Sequence, residues 1–323
     1  MEYTTLGKTG LKVSRIGLGA WQFSQAWGVL EYERAKAVIE RAIEHGINFF
    51  DTAMVYGLGI SENFLGKALR ELGVKRDEVV ISTKIPGEFL NPDDVFRSVE
   101  KSLKIMGFDH VDILLAHWPT CWHHYPTRAY AKAMERLVLL GKVSYLGLSD
   151  FPLELVESFR SHLSKVDVEV LQIRYNLVER WAEEELIPYA ERHRMTVQAW
   201  SPIAKGALTG KYTPENLPQF SDVRASDPVF HPRNFREVWK LVELLKSIGE
   251  RYGKKPVQVA LNWLIMYSPV IVPIPGAKTP EQVDDLAGSV GWRLSFEDWR
   301  AIDELSRSIK IAYSVYYLDY TPI

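Results

Sequence analysis

The chain is nearly free of cysteine: Cys121 is the only one in 323 residues. A lone thiol forms no intramolecular disulfide and builds no thiolate zinc site. Long apolar runs are also missing. The greasiest stretch, 257–274, is interrupted by Gln258, Asn262, Pro269 and Pro273. Such a stretch suits a helix, a turn and a buried strand better than a membrane span. Neither sign of charge dominates, because 39 basic and 41 acidic residues leave a formal −2. A general nucleic-acid binder needs net positive charge or a basic stripe. No apolar segment lies among Glu2, Lys8 and Lys12 to act as a secretory signal, so the cytoplasm is the expected compartment. Low-complexity tracts, charge blocks and Gly/Ser linkers are absent too, and residues 1–323 read as one domain.

What is present is a globular composition, 46% hydrophobic and 25% charged. A chain of this length buries roughly three quarters of the surface its unfolded form exposes, enough to fold without a metal or a disulfide. Eight short apolar runs recur, at 16–20, 48–52, 79–84, 111–117, 144–149, 170–175, 196–200 and 270–274. Helical patterns such as 33–45, 61–72, 92–106 and 181–192 lie between them. Gly46, Gly73 and Gly107 fall near helix ends, where the left-handed conformation favours glycine. Short Val/Ile/Leu-rich strands alternating with helices indicate a parallel sheet covered on both faces. Eight units predict a closed α/β structure, the (β/α)8 TIM barrel. The opening 5–14, centred on Lys8-Thr9-Gly10, reads as an N-terminal β-hairpin capping the barrel bottom. A long polar stretch, 213–234, separates the seventh strand from its helix and is expected to be functional or mobile.

Barrel enzymes place their chemistry at the C-terminal ends of the strands. Those ends carry Trp21, Asp51, Lys84, His117, Ser149, Gln172, Trp200 and Pro275. Polar groups ending apolar strands are costly unless they are paired, and a shared site explains several at once. If Asp51, Lys84 and Tyr56 converge, Asp51 holds Lys84 charged and that cation favours the Tyr56 phenolate. The phenol then becomes a better proton donor, with His117 orienting a carbonyl oxygen or relaying a proton. The bland alternative is a buried Asp–Lys ion pair beside an unrelated tyrosine and a core histidine.

The run DTAMVYG at 51–57, continuing to Ser61-Glu62, resembles the first signature of the aldo-keto reductases. Further matches follow in order: Ser82-Thr83-Lys84, the residues around His117, Gly147 to Phe151, Gln172 to Asn176, Ala199 to Pro202, and Ile274 to Lys278 with Gln282. The resemblance implies a catalytic tetrad of Asp51, Tyr56, Lys84 and His117, with Tyr56 as general acid. It also implies a nicotinamide held by Ser149, Asp150 and Gln172 and stacked on Trp200, where many members have tyrosine. Asp150 departs from the family's more common asparagine; a carboxylate accepts hydrogen bonds but donates none.

The resemblance brings Ser201, Pro202, Ile203, Lys205, Gly206 and Leu208 to the pyrophosphate, and Gly276, Lys278 and Gln282 to the adenosine end. Lys205 has the alternative of being a solvated surface lysine. Thr279 and Pro280 suit the cap and first residue of a helix whose N–H groups receive phosphate. NADP(H) is the expected cofactor and NAD(H) the alternative, because Gln282 lies where many members carry arginine. Two look-alike phosphate motifs fail. Gly17-Leu-Gly19 lacks the third glycine of a dinucleotide fingerprint, and the run 206–212 is one residue short of a P-loop, with Tyr212 in place of Ser/Thr.

Trp21, Trp27, Trp118 and Trp122, with Tyr125, suggest an apolar substrate pocket, or packing of loops on the barrel. The aromatic tail 313–320 is expected either to fold over the barrel mouth or to pack against the outer helices. His123 and His124 are adjacent and lack a ligand spacing, so no metal is expected. The expected partner is a small carbonyl or alcohol, with neither nucleic acid nor membrane. Against this enzyme stands a second reading, a redox-sensing NADP(H)-binding regulatory subunit with little turnover. A metal-dependent barrel hydrolase lacks the clustered ligands it needs.

Overall fold

A computed structural model describes residues 1–120 and 124–313 of the chain. Strands β1 (Tyr3–Thr5) and β2 (Lys12–Ser14) form the antiparallel hairpin, starting at Tyr3 rather than Thr5. Eight parallel strands follow: β3 (Leu18–Gly19), β4 (Phe49–Asp51), β5 (Val80–Ile85), β6 (Val111–Ala116), β7 (Val143–Ser149), β8 (Val168–Arg174), β9 (Thr196–Trp200) and β10 (Ile271–Pro273). Each pairs with the next in chain order. The ring closes where Gly17 and Gly19 donate N–H to the carbonyls of Pro273 and Pro275, both at 2.9 Å. A Cβ on Gly19 would lie 2.8 Å from the Ile274 carbonyl oxygen, so the approach of two backbones requires glycine. The glycines that imitate half a dinucleotide motif are thus the closure of the barrel.

The helices α1 (Tyr32–Glu44), α2 (Ile60–Glu71), α3 (Pro92–Met106), α4 (Thr127–Leu139), α5 (Leu153–Ser161) and α6 (Leu186–His193) alternate with the strands. Two, α7 (Pro232–Tyr252) and α8 (Pro256–Tyr267), precede β10, and α9 (Pro280–Ala287) and α10 (Phe296–Ser308) follow it. Local sequence explains α3 well. The Asn91 side chain accepts from the Asp93 N–H, Pro92 opens the helix, and Gly107 closes it at φ 74°. The single helix expected over 181–192 is instead a short 3-10 turn (Trp181–Glu183) followed by α6. Pro188 is the cause: lacking an N–H, it is tolerated only in a first turn, so the helix starts just before it.

The barrel interior has two layers. Leu6 and Val13 of the hairpin region pack with Phe49, Val80, Ile113, Leu115, Val170 and Val272 to fill the lower half. The hairpin tip is tied to the strand starts by Gly7 N–H on Thr196 Oγ1 at 2.8 Å and Lys8 N–H on Glu169 Oε2 at 2.7 Å. Above this plug the inward residues are polar. The stretch 257–274 becomes most of α8, a turn and β10; among the described residues no helix is long and apolar enough to cross a membrane.

Candidate active site

Inward parity builds the upper layer. Asp51 stands beside Ser82 across the β4–β5 pair, and Gln172 beside Gln198 across β8–β9. Ser82 Oγ donates to Asp51 Oδ1 at 2.7 Å, and Gln172 Nε2 reaches the same oxygen at 2.8 Å. Gln172 Nε2 also lies 2.6 Å from Gln198 Oε1. Lys84, wholly buried, donates from Nζ to Asp51 Oδ2 at 2.6 Å, to the Thr52 carbonyl at 2.7 Å and to the Tyr56 hydroxyl at 3.1 Å. His117, one residue past β6, presents its ring edge-on to Tyr56 with centroids 5.7 Å apart. The four residues expected to converge do so.

Burial sets the protonation states. Desolvation, helped by the Asp51 and Asp150 carboxylates, holds the Tyr56 hydroxyl well above its ordinary value. That corrects the expectation of an eased ionisation, since loss of water around the phenol outweighs the cation beside it. Tyr56 is therefore a phenol with its proton in place. Burial also pulls Lys84 down, against the opposing pull of Asp51. His117 is held well below its usual range by desolvation and then by Lys84, so its ring is neutral, and its buried Nδ1 has no hydrogen-bond partner.

A cavity of about 780 Å³ opens at these strand ends and runs outward to α9. Tyr56, His117, Trp21 and Trp118 wall one end; Ser149, Asp150, Gln172 and Trp200 form the middle. Ser201, Pro202, Ile203, Lys205 and Gly206 lead on to Gly276, Lys278 and Gln282 at the far end. Leu208 differs from its neighbours: its side chain is fully buried in the core. The segment after β9 is strained, with Ser201, Ala204, Lys205 and Gly206 at φ 51°, 48°, 53° and 98°. Non-glycine residues hold such angles at a cost that clusters at ligand sites. Ser201 Oγ is buried there without a partner.

Lys205 is neither a solvated lysine nor an isolated cation. Its Nζ lies 2.7 Å from Asp227 Oδ2, which also takes Arg174 at 2.8 Å. Lys278 Nζ donates to the Trp27 carbonyl at 2.5 Å, and its N–H bonds Gln282 Oε1 at 2.7 Å. Trp27 thus contacts Trp21, at 5.4 Å between ring centroids, and also carries Lys278 and Arg224 over its ring at 5.3 and 5.5 Å. It roofs the cavity rather than belonging to one end of it. As expected, Thr279 caps α9 and Pro280 opens it. Trp122 and His123, with Cys121, lie outside the described residues, as does the tail beyond Tyr313.

Sequence reasoning missed Gln198, Arg174, Arg224 and Asp227. The first two were detectable by parity: Gln198 stands two residues before Trp200, and Arg174 two after Gln172, on strands otherwise apolar. Arg224 and Asp227 lie in the 213–234 stretch, which carries one 3-10 turn, and their placement depends on distant partners. Arg224 bonds Asp222 and the Tyr212 hydroxyl and sits over Phe220.

Fold and site together define a closed α/β barrel with a buried Asp–Lys–Tyr–His constellation at the mouth of an elongated cleft. The model of the aldo/keto reductase family matches residues 15–307, and the chain belongs to that family. It is 34% identical over 316 residues to the aldo-keto reductase YhdN of Bacillus subtilis, covering 94% of this chain and 93% of that one. A probable voltage-gated potassium channel subunit beta of Arabidopsis thaliana is 32% identical over 306 residues, covering 88% and 90%. A crystal structure of an aldo-keto reductase from Klebsiella pneumoniae in complex with NADPH superposes with TM-score 0.77 at 26% identity, over 95% of this chain and 96% of that one.

Proposed function

We propose that the chain is an NADP(H)-dependent enzyme that reversibly reduces an aldehyde or ketone to its alcohol, with Tyr56 as proton donor. The arrangement that supports this most is the buried Lys84 ammonium, bonded at once to Asp51 and to the Tyr56 hydroxyl at the cavity wall. A nicotinamide bound here would supply hydride to the carbonyl carbon. The oxygen of that carbonyl gains charge as hydride arrives, and the chain's residues answer it. Tyr56 donates its proton to the oxygen, and Lys84 stabilises the phenolate left behind. Asp51 keeps Lys84 charged, and the neutral His117 offers a ring N–H to the same oxygen.

The cavity beyond fits a dinucleotide by its length, its partnerless Ser201 hydroxyl and its left-handed backbone segment. Ser149, Asp150 and Gln172 would hold the carboxamide against Trp200. Ser201 to Gly206 and the Leu208 backbone would follow the pyrophosphate, and Gly276, Lys278 and Gln282 the adenosine end. The NADPH complex of the Klebsiella relative supports the choice of cofactor, with NAD(H) the alternative. Trp21 and Trp118 shape the apolar end for the substrate. The cytoplasm remains the proposed compartment.

The second reading, a regulatory subunit, has the likeness to the Arabidopsis channel subunit in its favour. The assembled proton-donor site favours turnover. A panel of aldehydes and ketones with NADPH and NADH, followed at the nicotinamide absorbance, separates the two. Tight cofactor binding without oxidation of NADPH by any carbonyl overturns the enzyme reading.

A further inference from the structure

Asp150 lies at the end of β7 with φ 53°, its N–H bonded to the Gln172 carbonyl at 3.0 Å. Its Oδ1 accepts from Trp200 Nε1 at 3.0 Å, which fixes the carboxyl in the cavity wall beside the Trp200 ring. The charged and titratable groups around it are Arg174 on β8, Lys84 on β5 and the Tyr56 hydroxyl. Loss of hydration outweighs the bonds from Trp200 and the Arg174 backbone and the two cations, and pushes the Asp150 carboxyl up to about 6. The residue is exposed toward the open cavity, so a flat ligand on Trp200 would cover the carboxyl and remove the water that now reaches it.

Resting on the reading that a nicotinamide occupies the Trp200 face, we propose that Asp150 discriminates oxidised from reduced cofactor, and that its protonation switches the preference. An oxidised nicotinamide ring carries a positive charge and the reduced ring none. A carboxylate covered by the ring would attract the former, because the ring displaces the water that screens it. The neutral acid loses that attraction and gains an O–H that can donate to the carboxamide oxygen. The linkage has a definite sign. Binding of reduced cofactor raises the Asp150 pKa and takes up a proton from solvent, so that affinity weakens as pH rises above about 6. Binding of oxidised cofactor lowers it, so that affinity weakens as pH falls through the same region.

The test measures Kd for NADPH and for NADP+ from about pH 5.5 to about pH 8 in wild type and Asp150→Asn. Both cofactors carry the same 2′-phosphate, which titrates near pH 6, so its contribution cancels in the ratio of the two constants. The ratio Kd(NADPH)/Kd(NADP+) should rise by about three- to tenfold across the range in wild type and stay flat in the variant. Asparagine tolerates the left-handed backbone and keeps an acceptor for Trp200, so the fold should survive. Calorimetry of wild type near pH 6.5, in two buffers of different ionisation enthalpy, should show more protons taken up with NADPH than with NADP+, whose binding releases protons from Asp150; the 2′-phosphate contributes equally to both, and the comparison needs no variant. A wild-type ratio independent of pH, or one whose pH dependence persists in Asp150→Asn, overturns the proposal. Failure of wild type to bind either cofactor overturns the cofactor reading instead.

Discussion

At the N-terminal end of the barrel the polar groups are answered by the protein itself, whereas at the C-terminal end several wait for something else. Arg15, nearly buried below the strands, donates to the carbonyls of Pro269, Ile271 and Ile265 at 3.0, 2.8 and 2.8 Å. The hairpin tip spends its N–H groups on Thr196 and Glu169. At the other end the atoms of Trp27 Nε1, His117 Nδ1 and Ser201 Oγ are buried without partners, and all three residues line the cavity. Buried groups left unsatisfied cost stability, so a cluster of them marks a place where a ligand completes the bonding. Two exceptions lie away from the cavity: Arg76 Nε near the bottom, where the rest of the guanidinium reaches Asp112 at 2.6 Å, and Glu62 Oε2 on α2, whose other oxygen accepts from Thr83 Oγ1 at 2.7 Å. The contrast teaches that the two ends, built from the same strands, divide stability from chemistry.

The sharpest way to break that division is Tyr56→Phe. The phenyl ring keeps the packing and removes the proton donor, so kcat should fall by about 10²–10⁴ while NADPH affinity holds. A variant with more than about a tenth of wild-type turnover, in a reaction limited by chemistry, would sink the assignment.

Charge removal at each end gives the next comparison. Lys84→Met leaves Asp51 buried beside Ser82 and Gln172 with its cation gone, and should cost about 3–5 kcal/mol in urea unfolding. Carbonyl reduction should drop steeply in the folded fraction, and alcohol oxidation should shift to higher pH because the phenolate has lost its cation. Arg15→Met strips three carbonyls of their donor and should cost about 2–3 kcal/mol. Its turnover per folded molecule should match wild type. Equal loss of activity in both variants would mean that the ends are not separate.

Lys278→Met should weaken NADPH by about five- to thirtyfold and NADH little, with the difference shrinking in high salt. The structure tempers the effect, because Lys278 is already engaged with Trp27 and its pKa is lowered by burial and by Arg224. Equal weakening of both cofactors would shift the phosphate contact toward Lys211, since Lys205 is committed to Asp227 and Arg224 to Asp222. The smallest effect belongs to the bottom. Lys8→Ala breaks partly exposed pairs with Asp167 and Glu169 at 3.3 and 3.4 Å, and should cost under about 1 kcal/mol with kinetics unchanged. A measurable change in kcat there would show coupling through the barrel.

The sequence by itself determined the eight strands, the hairpin and the polar residues that end otherwise apolar runs. Period and punctuation are local properties, and Asn91, Pro92 and Gly107 place α3 without reference to anything distant. Asp51, Tyr56, Lys84 and His117 were legible because each is a costly residue at a strand end or just beyond it. Only the tertiary structure decided what each of them meets. Asp51, Ser82, Gln172 and Gln198 become one hydrogen-bonded layer because neighbouring strands share a register and an inward face. Lys205 acquires Asp227, and Lys278 acquires the Trp27 carbonyl, across separations that no local pattern encodes. The protonated state of Tyr56 was decided there too, since it depends on how much water the closed barrel removes, and burial is a property of the whole fold.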